Sequence, residues 1–276
     1  MKKFIKFVIG KKLSRSLIFQ KNKKYIPFKL RSLINPESLY SDFFILDTNI
    51  YKNIFIAENI FSLLNQKKIE VEHKFRFYSK EGIFLSSKSY KSNNYLSKFQ
   101  LPEFSNQGSY ISFTHESIPI VKEYNNQFSI PELKQTTIQH RGYSVFFKNK
   151  DSLGSIVHGN FGAVSPSNIR NSGAIIRAMT YAYTPSYIFK NKNIYHLVFN
   201  NPTQKNLKIE VMGINLLDNK KNLFKLDLNP MGTNFVRIKD FEGKISFYSK
   251  LPICRSIIFK NPEYLINNEN YDVFHS

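Results

Sequence analysis

Alternation of apolar and polar side chains runs through most of the chain beyond residue 43 and predicts strands. In KIEVEHKFRFYS (68–79), Ile69, Val71, His73, Phe75 and Phe77 fall on every second position. That is the period of a strand with one buried face. LKIEVMGINLL (207–217) alternates through Leu207, Ile209 and Val211. Its apolar positions then change phase to Ile214 and Leu216, which predicts a bulge at Gly213. Helical periodicity is confined to the N-terminus and to Ile54–Leu64.

The strands also match one another along the chain. Asn53-Ile54-Phe55 corresponds to Asn193-Ile194-Tyr195 at an offset of 140, and Lys68-Ile69-Glu70-Val71 to Lys208-Ile209-Glu210-Val211 at the same offset. Phe84 and Phe224 continue the series. Farther on, Ile111-Ser112-Phe113 matches Ile245-Ser246-Phe247 at 134, and Pro119-Ile120 matches Pro252-Ile253 at 133. The matches are collinear, and a shorter connection in the second copy accounts for the drift. An internal repeat is the expectation. The competing account is composition, since a chain rich in Lys, Ile, Asn and Phe aligns strands with strands.

Turn residues punctuate the second copy. From Ile194 onward, strands are separated by NNPT, DNKKN, NPMGTN and DFEG, with two further strands after the last. Turns at this spacing are the signature of an all-β sandwich. Through Asn201-Pro202 and Pro230-Met231-Gly232 the region resembles bacterial immunoglobulin-like domains. The resemblance covers about 70 residues, or twice that with the repeat, and implies a scaffold used for structure and binding more often than for catalysis. With no Trp and a single cysteine, the antibody-type core is absent.

The expected architecture is therefore all-β: two immunoglobulin-like β-sandwich units related by an internal repeat, behind a basic N-terminal extension. The expected boundaries are an extension over 1–36, a first unit over 43–124, a bridging β segment over 125–190, a second unit over 191–262 and a tail over 263–276.

The non-repeated segment is the natural place for a specific function. It reads as a strand over 138–147, the turn KNKDSLG, a strand over 155–158, the loop HGNFG, a second loop over 165–173 and a strand in AIIRAMTYAYTP. Pairing about the 148–154 turn would bring His140 or Arg141 toward His158 and Asn160. Two polar, glycine-bearing loops at strand ends form a ligand-facing edge. The candidate ligand-binding residues are His140, Arg141, Tyr143, His158, Asn160 and Arg170. A glycan or protein surface is the ligand class they suit. The plain alternative is structural, with glycines turning the chain and histidines lining strand ends.

Several chemistries find no motif. A metal site would need a third ligand, and His115-Glu116 and His196 follow no recognised ligand spacing. No metal and no cofactor are expected. Ser144, Ser155 and Ser165 sit in nothing like a nucleophile elbow, and the glycines lack the GK[ST] end of a phosphate loop. An enzyme acting on an anionic carbohydrate is the alternative function. It would be lyase-like, with Tyr143 or a histidine as base and Arg141 neutralising a substrate carboxylate.

Charge adds a third class. The net charge is +20, but residues 1–36 hold eleven Lys or Arg and no acid. The remaining 240 residues carry 29 basic and 20 acidic side chains. Such an arm attracts nucleic acid, anionic lipid or an acidic partner through a salt-screened field. Phe4, Ile5, Val8, Ile9 and Leu13 can share one helical face, which suits a membrane surface. A merely solvated tail is the alternative. Aromatics in FKNKNIYHLVF would serve a nucleic-acid surface, although their strand-like period is that of a core.

Cys254 stands alone, so no disulfide partner is expected, and its apolar surroundings suit a small core residue. Lys6 interrupts the short N-terminal apolar run and no cleavage pattern follows, so neither a signal peptide nor a transmembrane helix is expected. The cytoplasm or a membrane periphery is the expected location.

Overall fold

The computed structural model describes residues 42–48, 52–104, 108–120, 142–147, 153–158, 175–177, 180–201, 206–216, 221–249, 256–262 and 271–275, and these form an all-β structure of four antiparallel sheets. The first half holds β1 (Asp42–Asp47), β2 (Lys52–Glu58), β3 (Val71–Tyr78), β4 (Phe84–Ser92), β5 (Leu96–Gln100), β6 (Tyr110–Pro119), β7 (Gly142–Phe147) and β8 (Ser155–His158). Its sheets run β1-β6-β3-β4 and β5-β2-β7-β8.

The second half holds β9 (Ile175–Arg177), β10 (Thr180–Tyr183), β11 (Tyr195–Asn200), β12 (Leu207–Asn215), β13 (Lys221–Leu228), β14 (Thr233–Ile238), β15 (Gly243–Ser249), β16 (Ile257–Lys260) and β17 (Asp272–His275). Its sheets run β9-β10-β15-β12-β13 and β14-β11-β16-β17. Strand for strand, β10 to β17 occupy the places that β1 to β8 occupy in the first half, and β9 is an addition at one edge.

The alternation read from the sequence is the one that builds the cores. Ile69, Val71, His73, Phe75 and Phe77 are all buried. The Phe55 ring of β2 lies against Phe44, Phe75 and Phe113 of the facing sheet, with centroids 4.7, 5.3 and 5.7 Å away. In the second half Tyr195, Leu197 and Phe199 of β11 share a buried cluster with Ile209 and Val211 of β12 and Phe247 of β15. Each core is thus closed by apolar faces of two sheets, the non-directional burial that dominates folding.

A third buried cluster joins the halves. Ile45, Tyr110, Phe146 and Val157 meet Val198, Ile257, Phe259 and Val273. The Phe146 and Phe259 rings meet edge to face at 5.2 Å. Two turns also abut, with Thr233 N–H donating to the Lys80 carbonyl at 2.9 Å. Gly82, at φ +85°, sits where a Cβ would stand 1.8 Å from the Pro230 carbonyl oxygen, so only glycine fits there.

Three local expectations change. Gly213 makes no bulge, because β12 pairs with both β13 and β15 without a register shift. Ile214 and Leu216 instead stay on the outer face, 46% and 59% exposed. A register shift falls instead between β3 and β4, where Phe77 faces Ser86 and Tyr78 faces Phe84, leaving Leu85 of β4 as the extra residue. Ile54–Leu64 divides into β2 and a short helix, α1 (Ile60–Asn65), where the Asn59 side chain accepts from Ser62 N–H at 3.1 Å. The strand expected in AIIRAMTYAYTP is folded into the antiparallel pair β9 and β10.

The segment 125–190 contributes β7 and β8 to one sheet and β9 and β10 to another. Residues 272–275 of the tail form β17, paired with β16. The 1–36 extension and Cys254 lie outside the described residues. Among those described, no helix is long and apolar enough to cross a membrane.

Candidate functional site

The hairpin at the centre of the candidate segment forms as expected, and its register sets Tyr143 opposite His158. On the other side β7 pairs with β2, placing Tyr143 opposite Ile56. Because side chains alternate, Glu58 lies on the same face as Ile56, and its carboxylate Oε1 accepts a 2.6 Å hydrogen bond from the Tyr143 hydroxyl. Phenol, carboxylate and imidazole thus share one region of the β2-β7-β8 sheet. Glu58 and Tyr143 are half-buried and His158 is exposed.

A second histidine completes this edge. The His275 ring of β17 lies against His158, with centroids 4.1 Å apart and the planes tilted by 35°, and its Nε2–H donates to the His158 carbonyl. That bond fixes the proton of a neutral His275 on Nε2. Ser155 donates to the Asp272 carboxylate at 3.0 Å and accepts from Val273 N–H at 3.2 Å. β8 and β17 are therefore tied side by side.

Of the residues proposed from sequence, Tyr143 and His158 are brought together. His140, Arg141, Asn160 and Arg170 lie outside the described residues. The structure adds Glu58 and His275, which lie 85 and 117 positions from their partners. No local pattern marks either one.

The other described histidines are in the interior. His73 Nδ1 stands 3.0 Å from His115 Nε2, and Ser117 Oγ lies 3.2 and 3.5 Å from those atoms. All three residues are buried, with the Phe55 ring on His115 and the Phe99 ring on His73. Burial pushes the His73 pKa down to about 4. A neutral pair sharing one N–H satisfies both facing nitrogens, and two imidazolium ions there would repel in a medium of low polarity. His196 is buried too, its Nδ1 2.7 Å from the Tyr110 hydroxyl. His115-Glu116 and His196, weighed as metal ligands, belong to separate places, and the described residues contain no cluster of three metal-binding side chains.

The aromatics considered for a nucleic-acid surface, Phe189, Tyr195 and Phe199, are fully buried. Their strand period was that of a core. A separate small cavity opens in the second half between β12, β13 and β14, lined by Val211, Phe224, Arg237, Ile238 and Phe241 among others. Compared with known families and curated proteins, the chain matches none.

Proposed function

We propose that this chain is a non-enzymatic binding or structural protein built from two related β-sandwich units, and that it recognises a glycan or protein surface through the β2-β7-β8 edge. The observation that carries the reading is the Tyr143–Glu58 hydrogen bond beside exposed His158. A polar aromatic, an acceptor and an imidazole on a rigid sheet make a surface suited to hydroxyl-rich ligands. The strands that hold it are anchored in the shared core between the halves, so the face is preorganised.

The repeat is supported by the matching strand orders, with a revised register. Phe75 stands opposite His115 and Ile209 opposite Ser249, each partner 134 positions further along. Keeping the Ile111–Phe113 match at 134 therefore sets β3 on β12 at 134 as well, which aligns Phe77 with Val211. The Lys68–Val71 match at 140 would shift the pairing by six residues and is not kept. Four and four strands per unit differ from the four and three of a constant-type immunoglobulin domain, so the kinship lies in architecture.

Binding of the full chain to a panel of immobilised neutral and anionic oligosaccharides tests the reading, with turnover followed in parallel. Binding should weaken about tenfold in Tyr143→Phe or Glu58→Gln, with no product formed. Product formation that Tyr143→Phe abolishes would establish the lyase-like alternative instead. Binding that survives both substitutions and disappears on deleting residues 1–36 would move recognition to the basic arm.

A further inference from the structure

β13 is the outermost strand of its sheet, and among the described residues no strand lies beyond it. An open edge of this kind is a template for pairing with another chain. The Asn234 side chain donates to the Asp227 carbonyl at 3.2 Å, so that carbonyl is turned away from β12. Backbone groups alternate along a strand, which turns those of Leu223 and Lys225 the same way. The Lys225 and Asp227 side chains are 70% and 75% exposed.

Charge separates β13 from the other sheet edges. The charged residues of β4, β5, β9 and β14 are all basic and those of β1 all acidic, while β8 and β17 are tied to each other. Two copies of any of those five strands would bring like charges together, a common guard against edge pairing. β13 instead carries both signs on one face, at Lys225 and Asp227. Each already has a weak cross-strand contact on β12: Lys225 Nζ lies 3.8 Å from Glu210, and Lys208 Nζ lies 3.8 Å from Asp227.

The other face of β13 is apolar. Phe224 stands opposite the buried Val211, so both side chains lie on the core-facing side, with Leu226 and Leu228 in line. Leu226 and Leu228 are buried, yet Phe224 remains 37% exposed, a large ring on an inner face without full cover.

We infer that β13 is a self-association edge, at which a second copy of this chain pairs antiparallel about a twofold axis at Leu226. In that register Lys225 stands opposite Asp227 of the second copy, and Asp227 opposite its Lys225. These are the residues whose backbone groups face outward, so each pair exchanges two hydrogen bonds. The Asp227 carbonyl accepts its new bond on the lone pair that Asn234 leaves open. Each row of the joined sheet then alternates in sign: Lys208, Asp227, then Lys225 and Glu210 of the second copy. Opposite charges at directly facing positions favour such pairing. On the inner face Phe224 stands opposite Leu228 of the second copy, which sets apolar surface beside the exposed ring. Slipping the copies by two residues sets Lys225 against Lys225 or Asp227 against Asp227, and slipping by one exchanges the faces.

Sedimentation of the full chain from micromolar to millimolar concentration tests this edge. The natural chain should pass from monomer to dimer, with amide exchange at Lys225 and Asp227 slowing about tenfold as the dimer fills. Lys225→Asp and Asp227→Lys change exposed side chains, and each sets like charges opposite one another at both places. Each variant alone should stay monomeric. An equimolar mixture of the two should recover a mixed dimer, because unlike charges then meet at both places. A natural chain that stays monomeric at millimolar concentration would overturn the self-association. A dimer retained by both single variants would overturn β13 as its seat, and a mixture that stays monomeric would overturn the charge-set register.

Discussion

The Tyr110 hydroxyl meets Nδ1 of His196 at 2.7 Å, a buried hydrogen bond between residues 86 positions apart that joins β6 of the first half to β11 of the second. Around it the Phe235 and Phe259 rings pack on Tyr110 at 5.2 and 4.8 Å. The halves are therefore coupled through shared buried surface. Tyr110→Phe should cost about 1–2 kcal/mol, and a double-mutant cycle with His196→Phe should show coupling of about 1 kcal/mol. Urea denaturation of the four proteins measures both. A single transition that shifts as a whole is expected, and two separate transitions would show that the halves unfold independently.

Phe55 is the ring on which the first core closes, in contact range of Phe44, Phe75, Phe113 and His115. Phe55→Ala removes it from a site that rigid strands on both sides prevent from collapsing. The expected loss is about 3–5 kcal/mol in equilibrium unfolding. A loss below about 1 kcal/mol would mean that the facing sheets relax into the space.

Gly82 is required by two conditions at once. Its φ is +85°, and a Cβ would overlap the Pro230 carbonyl of the turn in the other half. Backbone cannot swing aside as a flexible side chain can. Gly82→Ala is expected to cost at least about 2 kcal/mol, more than the roughly 1 kcal/mol of the dihedral alone. Comparison with Gly108→Ala separates the terms, because Gly108 has the same φ and, among the described residues, a Cβ there would meet Cδ of the flexible Lys80 side chain at an ordinary 3.8 Å.

His73 makes stability depend on acid. Its folded pKa of about 4 lies below the ordinary 6.5, so the unfolded chain binds the proton more readily. The contribution is complete above pH 6.5 and is lost as pH falls from 6.5 toward 4. It amounts to about 3 kcal/mol over that interval. His73→Gln keeps a polar side chain near His115 and Ser117 but does not titrate. Its unfolding free energy should be flatter between pH 6.5 and 4 than that of the natural protein, and parallel curves would rule out His73 as the source.

The candidate site shows where local reading stops. The hairpin of β7 and β8 was legible, since two alternating runs flank a turn, and its strands fall at 142–147 and 155–158. That β7 would pair with β2 was not, because hydrogen bonds along a strand edge are alike for any partner of suitable length. Glu58 therefore carried no local mark and became visible only opposite Tyr143. Gly213 was read as a bulge for a similar reason. An apolar residue on the outer face looks, in one strand, like a change of phase.

By itself the sequence determined the class of structure and most strand faces, because period-two alternation is a property of neighbouring residues. Its collinear matches suggested two related halves, and the strand orders of the two halves correspond. The tertiary structure decided which strands share a sheet, how the halves interlock through Tyr110, His196 and Phe259, and that His73 and His115 belong to the core while Tyr143 and His158 share a surface. Those outcomes depend on contacts between distant residues, where burial and close packing select among pairings that the local pattern leaves equivalent.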